Sequence, residues 1–159
     1  MQLHLQPVDL SAIAHSVMNA LQKGSPARQA SVRIEPGLVV QADPVLIKQM
    51  MHKLLSNAWK FTSRRSHTEI SFGRVPAQVD ADAVDAVPVY VVKDNGEGFD
   101  MALAGKLFRS FQRLHAAQEF PGAGADLVKV QRIMERHHGQ IWAESVPGEG
   151  ARFFFKLGQ

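Results

Sequence analysis

The sequence predicts an α/β (α+β) fold: a two-layer sandwich of a mixed, largely antiparallel sheet packed on about three helices. Three observations support this prediction. Helical and extended stretches do not alternate as regular βα units, the apolar run 87–92 is typical of a central strand, and the chain closes on two strands joined by a turn. The chain has 159 residues, 45% of them hydrophobic and 21% charged, which is the balance of one globular domain with a buried core.

The first third of the chain contains a helix and three short strands. LHLQPV alternates as a strand, and Asp9 then stands where a helix would be capped. That helix has an apolar stripe from Leu10 to Leu21 and is closed by Gly24. The segments SVRIE and LVVQA follow as two strands separated by the turn at Pro36-Gly37.

A second helix begins at a clear start signal. Asp43 is the expected N-cap, and Pro44 suits the first helical position. The predicted buried face has the spacing of an amphipathic helix. It consists of Ile47, Met50, Met51, Leu54, Leu55, Ala58 and Phe61. The other face carries Lys53, Asn57 and Lys60.

The second half of the chain is predicted to supply most of the sheet. TEISFGRV and PVYVVKD are strands joined by an acidic, alanine-rich loop, and QIWAES and ARFFFKL form a closing hairpin over VPGEG. Between these pairs, MALAGKLF indicates a short helix, and Leu127 to Met134 mark a longer one that ends at Gly139.

Composition excludes several classes of function. The chain has no cysteine, which removes disulfides and zinc-cysteine sites and fits a cytoplasmic location. No apolar run is long enough to cross a membrane, and the net charge of +3 is scattered, so we expect neither membrane contact nor nucleic-acid binding. The seven histidines lack metal-site spacing, and we expect them to be solvated or to cap helices.

Asn57 and Lys60 form the first candidate site, and two interpretations stay open. On a polar helix face they are ordinary solvated residues. As a site, the amide oxygen of Asn57 is a hard ligand suited to magnesium, and Lys60 is a mobile charge suited to phosphate.

The stretch DNGEGFD is the second candidate, because it follows the apolar strand directly. Asp-Asn-Gly is ordinary turn chemistry. Alternatively, Asp94 accepts a hydrogen bond from an exocyclic amino group such as that of adenine, while Gly96 and Gly98 let the backbone approach the base.

The stretch PGAGADLVKV is the third candidate and leads into a helix. Its glycines expose backbone N–H groups at a helix start, where the dipole favours an anion such as phosphate. It is also consistent with a flexible loop in which Asp126 complements the same dipole.

Five stretches together resemble, in order and spacing, the ATP-binding catalytic domain of sensor histidine kinases, a branch of the GHKL superfamily with its Bergerat fold. They are LLSNAWKFT, DNGEGFD, FRSFQRLH, PGAGADLVKV and GEGARFFFKL. NAWKFT and FQRLHAAQEFPG are similar to the subgroup found behind phytochrome and PAS sensor modules. The resemblance extends from about Pro7 to Leu157.

The resemblance implies ATP and magnesium as ligands and gives each matching residue a role. Asn57 would ligate magnesium, Lys60 would contact phosphate and Asp94 would bind the adenine amino group. The remaining members are Gly96 and Gly98 in the base pocket, Phe108 and Phe111 in the aromatic segment that anchors the mobile lid, and Gly122 and Gly124 in the loop over the phosphates.

Three features depart from the family pattern. Asp126 stands where a third glycine is usual, and a carboxylate about 6 Å from a phosphate charge costs on the order of 2 to 3 kcal/mol. Lys53 replaces the asparagine or water-activating glutamate of the helix motif, which disfavours ATP hydrolysis of the gyrase type. No histidine is followed by an acid and a proline, so the phosphoacceptor pattern, and with it any catalytic residue, is absent from this chain.

The sequence therefore predicts a single domain, residues 1–159, excised from a longer kinase. It would present the γ-phosphate of Mg-ATP to a histidine on upstream dimerisation helices, and would serve a response regulator indirectly. The alternative is a degenerate domain that binds ATP weakly or not at all and acts as a docking module for proteins. Asp126 and Lys53 favour that alternative, whereas Asn57, Lys60 and Asp94 oppose it.

Overall fold

The structure is a computed structural model that describes residues 3–76, 87–98 and 123–158. These ranges contain seven strands and three helices. The elements are β1 (Gln6–Asp9), α1 (Leu10–Gly24), β2 (Ala30–Ile34), β3 (Val39–Ala42), α2 (Pro44–Phe61), β4 (Thr68–Arg74), β5 (Tyr90–Asp94), α3 (Ala123–Arg136), β6 (Gln140–Val146) and β7 (Gly150–Lys156). Within the described part of the chain, no helix is both long and apolar enough to span a membrane.

Five strands form the main sheet in the order β2-β4-β5-β7-β6. Among the described strands of this sheet, β2 and β4 run parallel and the other neighbours are antiparallel. The sheet is therefore mixed and largely antiparallel, which confirms the predicted fold class. The strands on either side of Pro36-Gly37 join different sheets, because β2 pairs with β4 while β3 pairs with β1.

Both predicted helix starts are confirmed by their hydrogen bonds. The Asp9 carboxylate accepts from the Ala12 amide at 2.9 Å, and the Asp43 carboxylate accepts from the Val45 amide at 3.0 Å. An aspartate at this position satisfies a backbone N–H that has no partner within the helix. The two helices that start here pack against each other and against the sheet.

The core lies between the helices and one face of the main sheet. Alternate residues of β5 and β7 point into it, and the rings of Phe72 and Phe155 stack within it at a centroid distance of 6.1 Å. Residues on the opposite sheet face, such as Arg33, Lys93 and Arg152, are exposed. This arrangement is the predicted two-layer sandwich.

His137 joins the end of α3 to the start of α2. Its side chain is buried, its Nε2 accepts a hydrogen bond from the Asp43 amide at 3.1 Å, and its Nδ1 lies 2.8 Å from the Ile133 carbonyl oxygen. Because an amide can only donate, Nδ1 carries the ring proton. His137 is buried and not solvated, but its two ring nitrogens bond to the last turn of α3 and to the N-cap residue of α2, so the capping alternative of the prediction holds for His137.

Arg28 caps the other end of α2. Its guanidinium donates to the Trp59 carbonyl oxygen at 2.9 Å and to the buried hydroxyls of Thr62 and Thr68 at 3.0 and 2.7 Å. It also stacks 3.7 Å above the centre of the Trp59 ring. The contacts satisfy a carbonyl at the helix end and tie it to the start of β4.

Replacing Arg28 by methionine should lower the free energy of unfolding by about 2 kcal/mol, because buried acceptors lose their donor and the indole loses its cation. Urea denaturation followed by circular dichroism measures this change. Arg33→Met, at an exposed position on β2, is the matched control and should shift stability by less than about 0.5 kcal/mol. Equal losses in the two variants would contradict the capping role.

Candidate functional site

Asn57 lies inside the protein, although its sequence neighbours placed it on a polar helix face. Its side chain is 1% exposed, and neither Oδ1 nor Nδ2 has a hydrogen-bond partner within the described ranges. An amide buried without partners costs about 1 to 3 kcal/mol. The interpretation of Asn57 as an ordinary solvated residue is therefore wrong, and its geometry fits a group kept for a ligand.

Asp94 is a second buried polar residue with an unsatisfied atom. It ends β5 and is 3% exposed; its Oδ1 accepts from the Gly96 amide at 2.8 Å, while Oδ2 has no partner among the described residues. Burial raises the pKa of the Asp94 carboxyl to about 7, and hydrogen bonds from the Gly96 and Ala151 amides oppose that rise. In the ionised form of the carboxyl group, the open oxygen is an acceptor suited to a ligand N–H.

The loop after Asp94 requires glycine at two positions. A Cβ at Gly96 would stand 2.5 Å from the Phe61 carbonyl oxygen, nearer than any real contact. Gly98 has a positive φ of 70°, and a Cβ there would collide with the Val146 carbonyl oxygen. The two glycines therefore let the loop approach the end of α2 on one side and the end of β6 on the other.

The elements that carry Asn57 and Asp94 touch each other. The Glu97 amide donates to the Phe61 carbonyl oxygen at 3.3 Å, and Asn57 lies one turn before Phe61 on α2. Two buried groups with unsatisfied polar atoms are thus held on one contiguous scaffold. One is an amide suited to a hard cation, and the other is a carboxyl group suited to an amino group.

The other sequence-predicted residues lie around this pair or outside the described ranges. Lys60 is exposed in the last turn of α2, and Lys53 is half-buried two turns earlier. The backbones of Gly124 and Asp126 belong to the first turn of α3, a helix that packs against α2. Phe108, Phe111 and Gly122 lie outside the described residues.

Two further residues, for which the sequence predicted no role of their own, shape this region. Asn95 bridges to β4, since its side chain accepts from the Glu69 amide at 2.8 Å and donates to the His67 carbonyl oxygen at 2.9 Å. Asp-Asn-Gly turn chemistry was the available signal for Asn95. Arg65 contacts the loop through its guanidinium, and nothing in the sequence distinguishes it from its neighbour Arg64.

Protein side chains alone do not build a metal centre here. No group of three or more His, Asp or Glu side chains that could hold a metal ion occurs within residues 3–76, 87–98 and 123–158. The Asn57 amide offers a single oxygen, and magnesium commonly takes one or two protein oxygens together with phosphate oxygens and water. The residues present fit a cation that arrives with a phosphate ligand.

The family model for histidine kinase-, DNA gyrase B- and HSP90-like ATPases matches residues 42–159. That stretch runs from the end of β3 to the end of the chain and contains both Asn57 and Asp94. The chain therefore belongs to this family, and within it the chain resembles the ATP-binding domains of sensor histidine kinases.

Similar curated proteins include several phytochromes. Phytochrome-like protein Cph1 of Synechocystis is 31% identical over 149 residues, covering 94% of this chain and 19% of Cph1. Cyanobacterial phytochrome B of Nostoc is 32% identical, covering 98% of this chain and 20% of that protein. The chain thus spans about a fifth of the length of these relatives, and the predicted resemblance is confirmed.

Solved structures share the fold. The catalytic domain of histidine kinase ThkA superposes with a TM-score of 0.75 at 19% identity, covering 98% of this chain and 95% of that domain. Mycobacterial sensor histidine kinase MprB gives a TM-score of 0.72 at 18% identity and 97% coverage of both chains. At these identities the likeness establishes the architecture alone.

The raised pKa of Asp94 predicts a pH-dependent stability. Between about pH 4 and pH 7 the folded protein keeps a proton on Asp94 that the unfolded chain releases, so the free energy of unfolding should fall as pH rises, by up to about 1.4 kcal/mol per pH unit. Asp94→Asn should remove this contribution. Thermal or urea unfolding of both proteins at a series of pH values measures it.

Asp9→Asn is the matched control for this prediction. Asp9 is an exposed N-cap, and asparagine caps helices as well as aspartate does. The Asp9→Asn protein should keep the wild-type slope. A wild-type slope retained in Asp94→Asn would show that Asp94 titrates at its ordinary value in the folded protein.

Proposed function

We propose that this chain is the catalytic domain of a two-component sensor histidine kinase and holds Mg-ATP with its γ-phosphate presented to a histidine on dimerisation helices elsewhere in the parent protein. The observation that carries the proposal is that Asn57 and Asp94 are buried on elements that touch, with polar side-chain atoms that have no partner among the described residues. Each matches a different part of a nucleotide.

Asp94 and the loop after it form the base side of the proposed site. The open Oδ2 accepts a hydrogen bond from the amino group of adenine, and Gly96 keeps the backbone close enough to border a flat ring. Guanine carries a carbonyl oxygen where adenine carries that amino group. An acceptor in this place therefore favours adenine over guanine.

Asn57 and Lys60 form the phosphate side of the proposed site. The Asn57 amide oxygen would hold magnesium, which when bound neutralises phosphate charge, and exposed Lys60 adds a positive charge at the same helix end. Gly122 and Gly124, together with the start of α3, would border the phosphates, and Phe108 and Phe111 would anchor the lid. Chemistry at such a site consists of positioning and charge neutralisation.

Lys53 bears on the type of reaction. It occupies the position at which a hydrolysing relative would need a carboxylate to activate water, and an ammonium cannot act as that base at neutral pH. Transfer of phosphate to a histidine needs no such base on this domain. Phosphotransfer therefore fits the residues better than ATP hydrolysis.

The proposal extends to the setting of the domain. Residues 1–159 would form one domain of a longer, cytoplasmically located kinase, with ATP and the dimerisation helices as direct partners and a response regulator as an indirect one. The rival proposal is a degenerate docking domain, and the substitution at Asp126 is the specific observation that favours it.

Calorimetric titration with ATP, with and without magnesium, separates the two proposals. We expect micromolar binding that strengthens with magnesium, and at least about a tenfold loss in Asn57→Ala, because the amide oxygen is a metal ligand. Asn19→Ala, at an exposed position on α1, is the control and should bind like wild type. No heat at millimolar ATP would favour the docking domain.

Asp126→Asn should tighten ATP binding, by up to roughly a hundredfold if the carboxylate stands about 6 Å from a phosphate charge. The asparagine removes the charge without introducing a flexible residue into α3. Asp126→Gly adds that flexibility, so comparing the two variants separates charge from backbone freedom. Affinity unchanged in both variants would show that Asp126 points away from the nucleotide.

A further inference from the structure

Arg65 links the two segments that border Asp94. Its Nε donates to the Asn95 carbonyl oxygen at 2.8 Å, and its Nη2 donates to the carbonyl oxygens of Gly96 at 2.9 Å and Gly148 at 2.7 Å. Asn95 and Gly96 belong to the loop after β5, whereas Gly148 belongs to the turn between β6 and β7. One half-buried guanidinium thus bridges loop and turn.

The bridged segments are already in close contact. The Gly148 amide donates to the Glu97 carbonyl oxygen at 2.5 Å, which joins the turn to the loop, and the Ser145 hydroxyl donates to the Gly150 carbonyl oxygen at 2.6 Å, which ties the two ends of the turn together. A Cβ at Gly150 would collide with the Asp94 carbonyl oxygen. A small displacement of the turn would therefore displace the backbone of Asp94 and the loop that follows it.

The position of the loop in turn fixes the Asp94 carboxyl group. The Gly96 amide is the donor that holds Oδ1 at 2.8 Å, and the carbonyl of the same residue is held by Arg65. Both polar groups of Gly96 are therefore engaged, one by the carboxyl group and one by the arginine. The direction of the open Oδ2 depends on this chain of contacts.

Only an arginine satisfies three carbonyl oxygens on two segments in this way. Its planar guanidinium presents five N–H donors in fixed directions, whereas a lysine offers a compact, mobile charge. The neighbouring Arg64 makes an exposed salt bridge to Glu97 at 3.1 Å, an interaction that contributes little to stability. The two adjacent arginines therefore have separable roles.

We propose that Arg65 is a positioning residue for base recognition: it holds the loop and the turn in one arrangement before a nucleotide arrives, and so sets the preference for adenine over guanine nucleotides. Because a site that is already ordered loses less entropy on binding, this bridge raises affinity for the matching base. The part of this inference that concerns base preference rests on the proposed ATP-binding function. The ordering of the loop is independent of any nucleotide.

The test compares Arg65→Met, Arg65→Lys and the control Arg64→Met in two measurements. Amide hydrogen exchange of the nucleotide-free protein reports the ordering of the loop and turn. We expect the amides of Gly96, Glu97 and Gly148 to exchange at least about tenfold faster in both Arg65 variants, with the amide of Val92 in β5 unchanged and Arg64→Met like wild type.

Calorimetry with ATP and with GTP reports base selectivity. Both Arg65 variants should bind ATP about tenfold more weakly while GTP binding stays the same, so the ratio of the two affinities falls. Arg64→Met should keep the wild-type ratio. A merely structural role would weaken ATP and GTP binding together, or accelerate exchange at Val92 as well, and either result overturns the proposal.

The two measurements separate this inference from the proposed function. If wild type binds no nucleotide, the proposed function and the selectivity role fail, and local exchange at the three amides still decides whether Arg65 orders the loop. Unchanged exchange in both Arg65 variants overturns the ordering role even where ATP binds well.

Discussion

The carbonyl oxygen of Phe61, the last residue of α2, lies so close to Gly96 that no side chain fits between them. This contact joins the long helix to the loop after β5 and so fixes the separation between Asn57 and Asp94. Packing in the core brings the helix and the sheet together, but the distance between them could still vary by about the size of a side chain. The backbone contact fixes the remaining distance.

Both ends of α2 are held in addition by side chains from distant parts of the chain. Arg28 donates a hydrogen bond to a carbonyl oxygen at the C-terminal end, and His137 Nε2 accepts a hydrogen bond from the Asp43 amide at the N-terminal end. These contacts offset part of the cost of burying Asn57 and Asp94 with unsatisfied atoms. The helix is thus fixed firmly where it carries groups that reduce stability, a pattern typical of sites prepared for a ligand.

The features that are local in sequence were predictable. Asp9 and Asp43 marked the helix starts, and the apolar periods located the strands that the structure describes. Pairing between distant segments was not predictable. Nothing in the sequences of β2 and β4 indicates that these two strands are parallel neighbours. Asn57 shows the same limit, because its polar neighbours Lys53 and Lys60 concealed that the packing of α2 buries the amide between them.

The candidate site divides into halves that depend on different parts of the fold. The base side is built from β5, the end of α2 and the turn between β6 and β7, which hold one another through backbone hydrogen bonds. The proposed phosphate side includes the start of α3, where the first-turn backbone includes Asp126. Because charge at a helix start acts within about one turn, an acid there would alter phosphate affinity in the proposed site and leave the base side as it is. In the proposed site, the departure from the family pattern at Asp126 would therefore bear on how tightly a nucleotide is held, and Asp94 with its loop on which nucleotide is recognised.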